Sequence, residues 1–120
     1  MGQALNLRVL VVEDEPIVAM MLEDYLHEMS CQVLGPAATV AAALQLVEGD
    51  QFDIAILDVN LNGDRSDPVA DALDRLGRPY MFATGYGVSG VRSGSTHIVL
   101  QKPYRADQLC AALRQLQNSL

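Results

Sequence analysis

The sequence predicts an α/β domain in which a parallel sheet carries helices on both faces. Three observations lead there. Short apolar runs alternate with helical patterns, four of the five runs end at a polar or charged group, and glycines and prolines punctuate the boundaries. The runs are Leu7 to Val12, Gln32 to Leu34, Phe52 to Leu57, Tyr80 to Ala83 and His97 to Leu100. They are short and mostly apolar, as strands buried on both faces are.

The helices between them follow from spacing and caps. Pro16 suits a first helical position, and Val18, Met21/Leu22, Tyr25 and Met29 recur at helical intervals behind it. Thr39 can cap Val40 to Glu48, with Gly49 as the stop, and Asp67-Pro68 opens a segment running to Leu76 with Gly77 as the stop. Leu109, Leu113, Leu116 and Leu120 form an apolar stripe on the last helix. One connection departs from the rhythm: Gly85 to Gly94 carries four glycines, each costing about 1 kcal/mol relative to Ala in a helix, so a helix there is expected to be short or disordered.

The 120 residues, half of them hydrophobic, suffice for one core, and no repeat or linker divides them; residues 1–120 are expected to form a single domain. The net charge of -7, with eight scattered Lys and Arg, argues against direct DNA binding, which needs clustered cations. The opening residues lack a basic, apolar leader and no run approaches a membrane span, so a cytoplasmic protein with no membrane partner is expected. Cys31 and Cys110 fit no metal or redox spacing, and no disulfide is expected.

In open parallel sheets ligands bind beyond the carboxyl ends of the strands. Glu13, Asp14, Asp58, Thr84 and Lys102 all fall at such ends, so residues dispersed in sequence converge on one edge. Carboxylates gathered there repel one another unless a proton or cation intervenes, and Mg²⁺ suits an all-oxygen set. The triplet Glu13-Asp14-Glu15 is by itself weak evidence for a metal, since a helix start, where the dipole favours acids, accounts for it better. Asp58 emerges from the run Ile54 to Leu57 and is chemically a nucleophile toward a phosphoryl group; its other reading is a turn former beside Asn60, Asn62 and Gly63. Lys102 offers a compact cation and Thr84 a hydroxyl, the two groups phosphoryl transfer asks for around the equatorial oxygens.

Val9 to Pro16, Ile56 to Leu61, Ala83-Thr84-Gly85 and Lys102-Pro103-Tyr104 together resemble, in order, the four motif blocks of the response-regulator receiver family of two-component signalling. The resemblance covers essentially the whole chain. It implies a flavodoxin-like doubly wound sheet of five parallel strands in the order 2-1-3-4-5. It further implies that Asp58 is the phosphoacceptor, that Asp14 is a direct Mg²⁺ ligand, that Glu13 assists through the metal shell and that Asn60 lends its backbone carbonyl. Thr84 and Lys102 would contact the phosphoryl group, and the Lys102-Pro103 bond would be cis. The implied partners are a histidine kinase or phosphotransfer protein as donor and a further protein for output, since no second module is expected in the chain.

Two departures from the family pattern stand out. Val99 occupies the place of the usual switch aromatic three residues before the lysine, and the glycine-rich stretch replaces the helix of the usual output surface. Phe82-Ala83-Thr84-Gly85-Tyr86 resembles a subgroup with a Phe-Ala-Thr-Gly motif, found in stand-alone and kinase-attached receivers. Tyr86 is therefore the candidate switch residue, its alternative being a residue that merely packs or lies in a loop. His27 and His97 are expected to be structural or solvated. Rival readings are a haloacid-dehalogenase-like phosphatase, for which Asn60 stands where a second acid is needed, a flavin or nucleotide module, for which a phosphate loop after the first strand is missing, and a pseudo-receiver that is never phosphorylated.

Overall fold

A computed structural model describes residues 4–85 and 98–120. Five parallel strands form the sheet: β1 (Arg8–Val12), β2 (Gln32–Ala37), β3 (Ile54–Asp58), β6 (Tyr80–Thr84) and β7 (Val99–Gln101), in the spatial order β2-β1-β3-β6-β7. Between β3 and β6 lies a small antiparallel hairpin, β4 (Asn60–Leu61) and β5 (Asp64–Arg65). With those two strands set aside, the order is the expected 2-1-3-4-5. The helices are α1 (Pro16–Glu28), α2 (Val40–Gly49), α3 (Asp67–Leu76) and α4 (Ala106–Gln117). The glycine-rich stretch, where a helix is expected to be short or disordered, lies past Gly85 outside the described residues, as do Tyr86 and His97.

Side chains alternate across each strand, so the sheet sorts its apolar residues into two cores. Val9, Val11, Ile54, Ile56 and Met81 face a cluster completed by Leu22 and Leu26 of α1 and by Leu109 and Leu113 of α4. Leu10, Ala55, Leu57, Tyr80 and Phe82 face the opposite cluster, with Val47 of α2 and Val69 and Leu73 of α3. Every residue of β3 and β6 is buried, which explains the apolar runs Ile54 to Leu57 and Tyr80 to Ala83.

Several boundaries moved for physical reasons. β2 continues to Ala37 through a cis Gly35-Pro36 bond, where the pairing register shifts and a Cβ on Gly35 would stand 2.8 Å from the Val11 carbonyl oxygen. Gly49 is the last residue of α2 and Asp50, at φ 53°, takes the left-handed cap expected of the glycine. The core stripe of α1 is Ala19, Leu22 and Leu26, leaving Met21 exposed at its margin. Leu120 lies past the end of α4 and is exposed, so the last stripe stops at Leu116. The caps of Thr39, which accepts from the Ala42 amide at 3.1 Å, and of Pro16 and Gly77 stand as read. Cys31 is buried and Cys110 half-buried, both as thiols, and His27 is exposed.

Candidate functional site at the carboxyl edge of the sheet

The three central strands end in line. Register pairs Val12 with Leu57 and Asp58 with Ala83, so Glu13, Asp58 and Thr84 leave the sheet side by side. β7 lies beside β6, pairing Thr84 with Gln101, and the Lys102 amide donates to the Thr84 carbonyl at 2.8 Å. That bond fixes Lys102 at the end of β7, and the Lys102-Pro103 peptide that follows is cis.

Lys102 Nζ donates to Glu13 Oε1 at 2.8 Å and to Asp58 Oδ2 at 3.1 Å. One oxygen from each of Glu13, Asp14 and Asp58 lies within 4.8 Å of the others. An all-oxygen donor set this tight fits a hard divalent cation such as Mg²⁺. Asp58 also accepts from the Asn60 amide at 3.3 Å, Glu13 from the Glu15 amide at 3.1 Å, and Asp14 from the Asn62 amide at 2.9 Å. The mouth above them is a cavity of about 370 Å³ lined by Asp14, Asp58, Asn60, Gly85 and Lys102, together with Glu15, Asn62 and Gly63.

Burial sets the electrostatics. Glu13 is 4% exposed, and desolvation pushes its carboxyl up to about 7; the Lys102 hydrogen bond opposes this and the nearby Asp58 charge adds to it. Burial pulls the Lys102 ammonium down, but the bonds to Glu13 and Asp58 outweigh it, so its pKa is raised and it stays charged. Tyr104, buried in the first core, has its phenol pushed up to about 12 by desolvation and remains a neutral packing group.

The structure brings together Glu13, Asp14, Asp58, Asn60 and Lys102. Thr84 ends β6 almost fully buried, behind the mouth rather than on its wall, where Gly85 stands instead. Val99 is half-buried in β7 opposite Phe82 and packs into the second core, an aliphatic filler in the place of the family aromatic. Sequence reasoning missed Asn62 and Gly63 as site residues, treating them as turn formers only. The signal was present, because Asn-Gly between Leu61 and Asp64 is the two-residue hairpin turn.

Comparison with known proteins agrees with this geometry. The family described as the response regulator receiver domain matches residues 9–114. The chain is a response regulator receiver domain. Among curated relatives, the transcriptional regulatory protein TcrA of Mycobacterium tuberculosis is 32% identical over 122 residues, covering 96% of this chain and 47% of that protein. The receiver thus spans about half the length of the curated relatives it matches. Among solved structures, SdrG of Sphingomonas melonis Fr1 superposes with a TM-score of 0.84 at 46% identity, covering 96% of this chain and 98% of that one. The response regulator PhyR of Brucella abortus superposes with a TM-score of 0.83 at 26% identity, covering 95% of this chain and 49% of PhyR. As a receiver domain the chain is a signalling module of two-component systems rather than a classical enzyme.

Proposed function

We propose that this receiver accepts a phosphoryl group on Asp58 from the phosphohistidine of a histidine kinase or phosphotransfer protein in the cytoplasm, and signals onward through a protein partner. The observation that carries this reading is the cluster at the strand ends: three carboxylates within 4.8 Å, with Lys102 bonded to both Glu13 and Asp58. Asp14, Asp58 and the backbone carbonyl of Asn60 would hold Mg²⁺, with Glu13 assisting from behind. Bound there, the ion neutralises the acids and the equatorial phosphoryl oxygens, the main requirement of phosphoryl transfer.

The chain's own residues do the rest. An Asp58 carboxylate oxygen attacks phosphorus; the new P–O bond forms as the donor's P–N bond breaks, and the released imidazole carries away the bonding electrons. Lys102 already touches Asp58 and is placed to follow the charge onto the phosphoryl oxygens. Its release from Asp58 and the hydroxyl of Thr84 couple the event to β6 and β7. Charge-assisted bonds of about 1.5–3 kcal/mol each would together bias the loops by about 3–6 kcal/mol, near the 5.5 kcal/mol that reverses a 1:99 population. SdrG, the 46% identical relative, has been solved in a BeF3-activated conformation, and this supports a comparable activated state here.

Intact mass after treatment with acetyl phosphate and Mg²⁺ tests the proposal. Wild type is expected to gain one phosphoryl group and Asp58→Asn none; an equal gain in both would overturn the assignment.

A further inference from the structure

The hairpin between β3 and α3 is built more rigidly than a loop over an open mouth requires. Its turn residues, Asn62 at φ 52° and Gly63 at φ 90°, both take the left-handed conformations that a two-residue hairpin turn demands. Leu61 is buried in the second core, Asn60 pairs with Arg65, and the Ser66 amide closes the base by donating to the Val59 carbonyl at 2.9 Å. The tip reaches over Asp14. There the Asn62 amide donates to Asp14 Oδ2 at 2.9 Å, and the Asn62 side chain reaches the Ala38 carbonyl at 3.4 Å on the loop before α2.

Asp14 sits between elements, just past β1 and before α1, and is half-buried. Among the described residues, the Asn62 amide is the one group that donates a hydrogen bond to its carboxylate. A carboxylate held at one oxygen loses its rotation, and groups that hold metal ligands in this way commonly govern metal affinity tenfold or more.

We infer that the Asn62 backbone amide, presented by the Asn62-Gly63 turn, is a positioning group for Asp14 that sets the divalent-cation affinity of the acid cluster. The inference rests on the Mg²⁺ reading of that cluster and adds a donor outside the family motif blocks. Because the donor is main chain, the side chain at 62 contributes through its tolerance of positive φ, and Gly63 contributes through the same property. No atom lies within 4 Å of where a Cβ on Gly63 would stand, so a substitution there acts through the backbone conformation alone.

Mg²⁺ titration of the full chain, followed by calorimetry and by amide chemical shifts, tests the inference with the metal alone as probe. Replacing residue 62 by its α-hydroxy acid analogue, which exchanges the N–H for an ester oxygen, is expected to weaken Mg²⁺ binding about tenfold. Gly63→Val, which strains the turn, is expected to weaken it by a similar factor. Asn62→Gly, which keeps both the donor and the left-handed turn, should stay within about threefold of wild type. Wild-type or tighter affinity in the ester chain overturns the inference while leaving the cluster's metal reading intact. A wild-type chain that binds no Mg²⁺ overturns the metal reading, and the inference with it.

Discussion

Lys102 reaches across the sheet edge to place its ammonium 2.8 Å from Glu13 Oε1, and the same nitrogen stands 3.1 Å from Asp58 Oδ2. One cation therefore separates two carboxylates that are themselves nearly buried. Breaking a buried pair by removing one partner costs more than the pair contributes, because the remaining charge stays desolvated. Lys102→Met is expected to destabilise the metal-free protein by about 3 kcal/mol at pH 7.5. The loss should shrink at pH 5.5, where Glu13 takes up a proton instead. Urea denaturation at the two pH values in EDTA measures both.

Glu13 also gives the metal-free protein a pH dependence of definite sign. Its folded pKa, about 7, lies above the ordinary value of 4.5, so between those limits the folded state binds the extra proton. Stability then falls as pH rises from about 4.5 through 7, by about 1–3 kcal/mol. Asp53 acts at a different place. Its carboxyl is held below the ordinary range by the Arg8 hydrogen bond, so its contribution is present above pH 4 and is lost only as pH falls further. Denaturation of wild type in EDTA at pH 5.5 and 7.5 should show the first slope, and Glu13→Gln should flatten it.

Of the three carboxyl-edge acids, Glu13 and Asp58 were legible because strands buried on both faces read as apolar runs, and an acid that ends such a run has nowhere else to emerge. Lys102 was legible by the same logic, although its bond to Glu13 was not, since register and the β6–β7 pairing decide where a flexible side chain lands. The boundaries that failed were set by backbone geometry. Asp50 took a left-handed cap that propensity assigns to Gly49, and β2 ran on past Gly35-Pro36 because the Glu13 amide donates a hydrogen bond to the Ala37 carbonyl. The hairpin was hidden by its two-residue strands, too short for any periodicity to register, so Asn62 and Gly63 read as punctuation.

Ser66 carries a cost in stability near the site. It is fully buried at the start of α3, and its Oγ has no hydrogen-bond partner among the described residues. A buried hydroxyl left unpaired costs about 1–3 kcal/mol, and alanine removes it with almost no change of shape. Ser66→Ala is expected to stabilise the protein by about 1 kcal/mol, a rise of about 3–6 °C in Tm. A fall in Tm would mean that the hydroxyl holds a bridging water.

The apolar start of α1 bears on the proposed phosphoryl donor. Ile17 is 79% exposed and Met20 is 62% exposed, one helical turn apart and directly after the acids that edge the mouth. A donor protein that presents a phosphohistidine to Asp58 must cover the rim of the cavity, and these two side chains are apolar surface that such contact would bury. A small acyl phosphate enters without touching them. Ile17→Glu with Met20→Glu is therefore expected to leave labelling by acetyl phosphate within about twofold of wild type. Transfer from a phosphorylated histidine donor should slow by at least tenfold, since two buried apolar side chains contribute about 1.5–3 kcal/mol each and every 1.4 kcal/mol is tenfold. Both rates are readable by Phos-tag electrophoresis on the same preparations. Equal slowing of the two reactions would place the damage at Asp58 itself, and equal persistence would put the donor on another face.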